Sequence, residues 1–447
     1  MNQLSIYRSF VRYVSLNILS MVGLSAYILA DTYFIANGVG ADGLVALNLA
    51  LPVYSLIHGS GLLLGLGGAT RFSIALGKSR AVDDASAGAD KRAASRIFMQ
   101  ALYPAAILGL LFVLLGIFLT PQLARLLGAD DSILPLTVSY LRTILCFSPA
   151  FIASNLAVCF VRNDGAPRLA MAGMLTASLS NILLDYLFIY PLGMGMFGAA
   201  LATGIAPLLS LSIQSLHFFR GKSSFGLTRC RPDLQELSHI AGAGAPSFVS
   251  ELSSGLAILL FNQVILSVSG NLGVGAYGII ANISLVCASV FTGIGQGIQP
   301  LVSLNHGAGD RNAIKKIFLC ACGLAVVLGA AFTLTGLFAA PPLVALFNQE
   351  QNLELARIAQ RGLKLYFTAF PAMGLNLITI SLLASSARAG RSFLLSSLRG
   401  ILLLVPSLLI LPRLWGMDGV WLAVPIVEMV TLFCAIWCLR RSPAKKS

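Results

Sequence analysis

Four acids stand where an apolar chain has little use for charge. Asp31, Asp185, Glu251 and Glu428 lie inside long apolar runs, whereas the remaining Asp and Glu lie in loops or near the ends of such runs. A charged side chain at the bilayer centre costs about 2.5–3.5 kcal/mol on insertion scales. Asp31 comes five residues before the end of its run at Ala36, and Asp185 five residues before Tyr190. At a rise of 1.5 Å per residue both lie roughly 7–8 Å below one membrane surface. Asn181 precedes Asp185 by one helical turn and shares its face. Thr203 enters from the same surface and reaches roughly 10 Å depth. Two carboxyls, an amide and a hydroxyl thus converge at one level, as hard oxygen donors suited to H⁺, Na⁺ or a similar cation. No Lys or Arg of these runs stands at that depth, so a shared proton or a bound Na⁺ is expected to relieve the repulsion. The alternative is a carboxylate that only ties helices together.

Glu251 and Glu428 lie deeper, near mid-membrane, and read as acids lining a cleft that attracts cationic cargo. Gln263, Asn282, Gln296 and Gln299 add polar groups, either to that cleft or as interhelical hydrogen bonds. His58 and Arg71 find no partner in the sequence, although Arg71 is placed to snorkel to a membrane surface. No His-Glu-x-x-His pattern and no phosphate-binding loop occurs, and His58, His217, His239 and His306 are scattered. Neither an enzyme nor an ATP-driven pump is expected, nor any cofactor or metal beyond a coupling ion. The eight cysteines read as small packing residues without disulfides.

The elements that must hold these groups are membrane spans. Of 447 residues 57% are hydrophobic and 11% charged, where a soluble chain carries about a quarter charged. Twelve apolar runs are long enough to cross a bilayer, at roughly 11–36, 45–76, 95–118, 133–160, 168–190, 196–219, 239–268, 276–305, 314–338, 355–386, 392–412 and 418–439. The net charge of +13 would suggest nucleic acid in a soluble protein, but here the cations gather in alternate loops. They are Arg8 and Arg12; Lys78, Arg80, Lys91, Arg92 and Arg96; Arg162 and Arg168; Arg220, Lys222, Arg229 and Arg231; Arg311, Lys315 and Lys316; Arg388 and Arg391; and Arg440, Arg441, Lys445 and Lys446. The positive-inside rule then places both termini in the cytoplasm. No cleavable signal peptide is expected, and the chain reads as a monomer of the bacterial inner membrane, in contact with membrane lipid and with no nucleic-acid partner.

The halves repeat. "GVGADG" at 38–43 returns as "GVGAYG" at 273–278, "GIFLTPQLARLL" at 116–127 as "GLFAAPPLVALF" at 336–347, and "GMFGAALA" at 195–202 as "GMDGVWLA" at 416–423. The expected architecture is an all-α polytopic membrane protein, with twelve transmembrane helices in two pseudo-symmetric six-helix lobes about a central cleft. Residues 1–222 form the first lobe with the cation site, 223–238 a basic linker, and 239–447 the second lobe. The acids are not repeated: Asp31 pairs with Leu266, Asp185 with Pro406, Asn181 with Leu402 and Glu428 with Pro207.

Over nearly its full length the chain resembles the multidrug and toxic compound extrusion (MATE) transporters, and within them the DinF-like bacterial branch. The resemblance is carried by "ADTYFIANGVGADGLVALNLALP", "GLGGATRFSIALGK", "VRNDGAPRLAMAGMLTASLSNILLDYLFIY", "GAPSFVSELSSG", "GIGQGIQPLVSLNHGAG" and "SLRGILLLVPSLLILPRLWGMDGVWLAVPIVEMVT". It implies alternating-access antiport of organic cations or amphiphilic drugs against H⁺ or Na⁺. It also implies a cation site on Asp31, Asn181, Asp185 and Thr203, and a transport role for Glu251. Many relatives carry proline after the second aspartate, where this chain has Tyr186. Lipid-linked precursor flippases of the same superfamily are the alternative, and would be expected to show a basic central cavity.

Overall fold

The computed structural model describes residues 3–81, 87–221, 223–347 and 352–440. Lys222, Arg441, Lys445, Lys446 and the side chain of Arg80 lie outside the described residues, as does the boundary set at 222. Among the described residues there is no strand.

Span 1 is Gln3–Gly38, span 2 Ala41–Ala81 and span 3 Ala87–Phe118. Span 4 is bent by 48° between Leu134–Cys146 and Ser148–Asn163, with Pro149 in the first turn after the break, where its missing N–H costs nothing. Span 5 is Pro167–Ile189, span 6 Gly195–Phe219 and span 9 Arg311–Phe338. Span 10 joins Leu353–Tyr366 to Phe370–Ser385 through a single 3₁₀ turn. Spans 7 and 8 run through one hydrogen-bonded stretch of 74 residues, Leu234–Gly307. Straight, it would measure about 110 Å, several bilayers deep. It is broken at Gly270, whose φ of 62° and ψ of −158° fall outside the helix. Phe261 and Tyr277 stack with ring centroids 4.8 Å apart, so the chain doubles back there. Spans 11 and 12 share Ala389–Arg440 and reverse at Trp415 and Gly416. The described residues therefore cross twelve times, as the apolar runs indicate.

The repeats map onto matching devices. Span 3 ends at Phe118 and a short helix follows, Thr120–Leu126; span 9 ends at Phe338 and Ala340–Ala345 follows. Both short helices carry proline in their first turn. Gly195 and Gly416 have φ of 55° and 56°, the left-handed conformation that only glycine adopts cheaply, and each opens the last span of its lobe. The first repeat pair differs. The turn after span 1 uses Gly40, at φ 98°, whereas its counterpart Gly275 continues a helix and the reversal falls earlier, at Gly270.

Two hydrophobic cores correspond to the two lobes. The first is built around Phe72, Leu141, Phe160 and Ala200, the second around Phe291, Phe367, Phe370 and Trp421. Each borrows from the other lobe at the end of the molecule that carries the basic loops, hereafter the basic end. Ile6, Phe10 and Val14 of span 1 pack in the second core, and Ile240 of span 7 in the first.

Glycine makes that exchange possible. A Cβ on Gly67 would lie 2.1 Å from the Ile240 carbonyl oxygen, on Gly244 1.8 Å from that of Leu63, on Gly77 2.0 Å from that of Leu304, and on Gly307 2.1 Å from that of Ile74. These are backbone-on-backbone approaches of span 2 to spans 7 and 8. The glycine-rich stretches thus serve close packing of the lobes. Polar groups seal the same interface. Arg71 is held by the Glu236 carboxylate through two bonds of 2.9 Å. Arg162, buried rather than in a loop as its sequence position suggested, bonds Asn17 at 2.7 Å and Gln296 at 2.9 Å. Gln299 donates to Thr70 at 3.0 Å and accepts from Asn163 at 2.9 Å.

Gly244→Ala should cost roughly 1–3 kcal/mol by forced backbone separation, read as a lower melting temperature in detergent. Gly278→Ala, whose Cβ would meet nothing within 4 Å, should melt as the native protein does. Equal melting of the two variants would refute the packing described.

Candidate functional site

The approach of span 1 to span 5 decides where Asp31 goes. Gly23 and Gly38 flank it at spacings of eight and seven, which bring them to one side of the helix. A Cβ on Gly23 would stand 2.6 Å from Leu175, and one on Gly38 2.2 Å from Ile189. With nothing between the helices, Asp31 meets Asp185 across them. The two carboxyls face each other at hydrogen-bonding range, and Asp31 and Asp185 are only 7% and 0% exposed. Each keeps one oxygen, Oδ1, buried without a partner.

Asn181 completes the first side of the site. Its amide donates to Asp185 Oδ2 at 3.0 Å, and its oxygen accepts from the backbone N–H and the hydroxyl of Thr203 at 3.2 and 3.3 Å. The 48° bend of span 4 brings Tyr140 up to the Thr203 hydroxyl. Tyr140 is buried, and it is a residue that sequence reasoning missed. Asp31, Asn181, Asp185 and Thr203 are therefore brought together as the depth reckoning requires. Span 5 runs as a helix through Tyr186, which points outward against Phe34 and Tyr190; the proline departure leaves no break in span 5.

Two ionised carboxylates are both acceptors, so they sit at this range only if one carries a proton and donates to the other, or if a cation lies between them. The donor set fits either ion: four oxygens from two carboxyls, with an amide oxygen and two hydroxyls beside them.

A cavity of about 80 Å³ opens beside the pair, lined among others by Asn181, Thr203, Tyr27, Tyr54 and His58. A water needs about 10–15 Å³ by this measure, whereas drug-sized ligands occupy roughly 300–1,000 Å³. The cavity is of a size for a few waters or an ion. Tyr27 and Tyr54 join their hydroxyls at 2.9 Å, and Tyr54 stacks on His58. Neither tyrosine was singled out in the sequence.

The second lobe departs from expectation. Glu428 is no free cleft acid: it is 2% exposed, and Arg399 Nε lies 2.6 Å from its Oε1. Asn376 donates to its Oε2 at 2.7 Å and to its carbonyl oxygen at 2.8 Å. Arg399 sits within span 11 in a single π turn, Leu398–Leu402. Gln296 and Gln299 are likewise not cleft groups but parts of the interface seal described above. Gln263 is exposed, Asn282 is half-buried, and Glu251 meets His58 at 3.2 Å. The far end of span 10 carries a groove lined by Arg357, Gln360, Arg361 and Lys364, with Asp418 holding Arg361 by a forked pair. Among the described residues no cluster of three or more His, Cys, Asp and Glu could hold a metal ion.

The MatE family model matches the chain twice, over residues 17–187 and 246–408, one match to each lobe. The chain is 26% identical over 412 residues to the multidrug export protein MepA of Staphylococcus saprophyticus, covering 92% of this chain and 88% of that one. It is 26% identical over 416 residues to the protein of the same name in Staphylococcus aureus, with the same coverage. Among solved structures it superposes with a TM-score of 0.89 on a MOP superfamily transporter from Pyrococcus furiosus, described as having a binding pocket of reverse polarity. That match is 23% identical and covers 99% of this chain and 97% of the other. An outward-facing multidrug resistance MATE transporter matches at 0.88, with 24% identity and the same coverage.

Arg399→Leu should leave Glu428 buried and uncompensated, destabilising by about 3–5 kcal/mol. The double variant with Glu428→Leu should recover most of that loss. Thermal unfolding in detergent reads both, and a double variant no more stable than the single one would contradict the pairing.

Proposed function

Since the chain belongs to the MatE family and is a multidrug efflux transporter, we propose that it drives export of organic cations or amphiphilic drugs by antiport against H⁺ or Na⁺. The observation that carries the reading is the facing pair Asp31 and Asp185, buried, with orphaned oxygens and with Asn181, Thr203 and Tyr140 around it. The basic end is the cytoplasmic end in this reading, and the protein lies in the bacterial inner membrane with both termini inside.

Asp31 and Asp185 take the cation from the far side. Once neutralised, they no longer repel one another, and spans 1 and 5 can repack. Their charged form favours cargo, and their neutral form favours the return of the lobes to the inward-open state. Cargo and ion are then antagonistic ligands of one two-state protein, and the coupling is reciprocal. Inward opening separates span 2 from spans 7 and 8, breaking Arg71–Glu236 and the Gln299 bonds. The N-lobe cavity is too small for drug in the form described here, so cargo belongs to the cleft between the lobes.

A second reading is favoured by the basic groove of span 10: a substrate with an anionic head, as a lipid-linked precursor would present. Ethidium efflux in vesicles, with ΔpH and ΔNa⁺ imposed one at a time, separates the two. Asp31→Asn should express at native level and lose gradient-driven ethidium efflux by at least about tenfold, some 1.4 kcal/mol of coupling. Efflux at the native rate in that variant would remove the cation site from these residues.

A further inference from the structure

His58 is the one imidazole that the transport account leaves unused and the structure places between two acid sites. It lies in span 2, in the first lobe. Its Nδ1 stands 3.2 Å from Oε1 of Glu251, in span 7 of the second lobe, within ion-pair distance but outside hydrogen-bond geometry, so that Nδ1 is buried with no hydrogen-bond partner. The contact therefore bridges the lobes. Gly59 next to His58 packs against the same stretch of span 7: a Cβ there would come to 3.2 Å of Phe248 and into ordinary contact, 3.5 Å, with the Glu251 Cβ. On its other side His58 lines the cavity that Asn181 and Thr203 line.

The groups facing His58 can be followed element by element. Span 2 supplies Tyr54, stacked on the ring with centroids 5.9 Å apart. Span 1 supplies Tyr27 through its bond to Tyr54, with Asp31 one turn beyond. Span 7 supplies Glu251. Spans 4, 5 and 6 present only neutral groups to the cavity, Ser154, Asn155, Ser178, Asn181, Thr203 and Ser210. The line of titratable groups therefore leads from the carboxyl pair to Glu251 through one imidazole.

We propose that His58 is a proton relay from the Asp31–Asp185 site to Glu251, and that protonation of Glu251 releases the contact between the lobes. The proposal rests on the antiport reading and takes the proton as the coupling ion. A proton reaching Nε2 through the cavity lets the Nδ1 proton pass to Oε1, and the ring returns to neutral in its other tautomer. No other bond changes. Glu251 then carries no charge, and the electrostatic attraction between its carboxylate and the imidazole across the interface is lost. Spans 2 and 7 can part at the basic end, and the proton leaves to the cytoplasm as Glu251 meets water. A proton entering from outside thereby unlocks the inside.

The test uses the full chain in liposomes, with spin labels on the basic ends of spans 3 and 9 in a cysteine-free background. In the native sequence, acidification should shift the label distances toward the parted form. H58Q keeps a hydrogen-bond donor beside Glu251 but has no titrating nitrogen. It should melt as the native protein does, stay closed on acidification, and lose ΔpH-driven ethidium efflux by about tenfold or more. E251Q, which mimics the protonated acid, should sit in the parted form at every pH. H58Q with the native pH midpoint, or E251Q as closed as the native protein at high pH, overturns the relay. A native protein driven by Na⁺ alone also overturns it while leaving the antiport reading intact. If neither gradient drives efflux, both fall.

Discussion

Two carboxyl groups pressed together in an apolar lobe, with no Lys or Arg of the described residues paired to them, are the constraint around which the molecule is organised. Repulsion and desolvation both act against the pair, and only a borrowed positive charge relieves them. The protein could have supplied that charge. It does so in the other lobe, where Arg399 neutralises Glu428 with Asn376 in support. At the repeat offset that aligns Asp185 with Pro406, Arg399 falls on Ser178, one helical turn before Asp185's own partner Asn181. Pseudo-symmetry thus supplies two similar scaffolds. One carries a self-contained ion pair, and the other a carboxyl pair whose Oδ1 atoms are buried without a partner.

The unsatisfied pair becomes useful because the two lobes meet through contacts that are close but separable. Glycine on spans 2, 7 and 8 lets backbone meet backbone at the basic end, and Arg71–Glu236, Arg162–Gln296 and Gln299–Thr70 cross the seam. Opening the seam withdraws Ile6, Phe10 and Val14 from the second core and Ile240 from the first, a small part of each. The sparse set of polar bonds gives the closed form a definite register.

Much of this was legible in the sequence because the membrane restricts the options. Apolar runs announce spans, basic loops announce orientation, and an Asp in such a run must be held or used. Depth reckoning alone gathered Asp31, Asn181, Asp185 and Thr203, since a helix converts residue count into height. What depth could not give was azimuth. Whether Glu428 faced a cleft depended on the rotation of span 12 and on Arg399, which lies across an interhelical gap in a π turn that no pattern in the sequence marks. For Gln296 and Gln299, of the two readings left open, interhelical bonding is what the structure shows, because their faces turn toward the seam. Arg162 read as a loop cation, since its place after the apolar run concealed that span 4 continues to Asn163 and buries it. Tyr27, Tyr54 and Tyr140 were hidden among apolar neighbours, and only the bend of span 4 and the approach of span 1 to span 2 bring them to the site.

The central claim is that the carboxyl pair and the cargo compete through one shared conformational equilibrium. It is tested most directly by counting ions displaced when cargo binds. Ethidium added to the purified protein in weakly buffered detergent solution, with H⁺ and Na⁺ activities followed together, should release about one coupling ion per molecule bound, as reciprocal linkage demands. The variant carrying both Asp31→Asn and Asp185→Asn should bind ethidium with no release. Ethidium binding to the native protein without displacement of either ion would contradict the account.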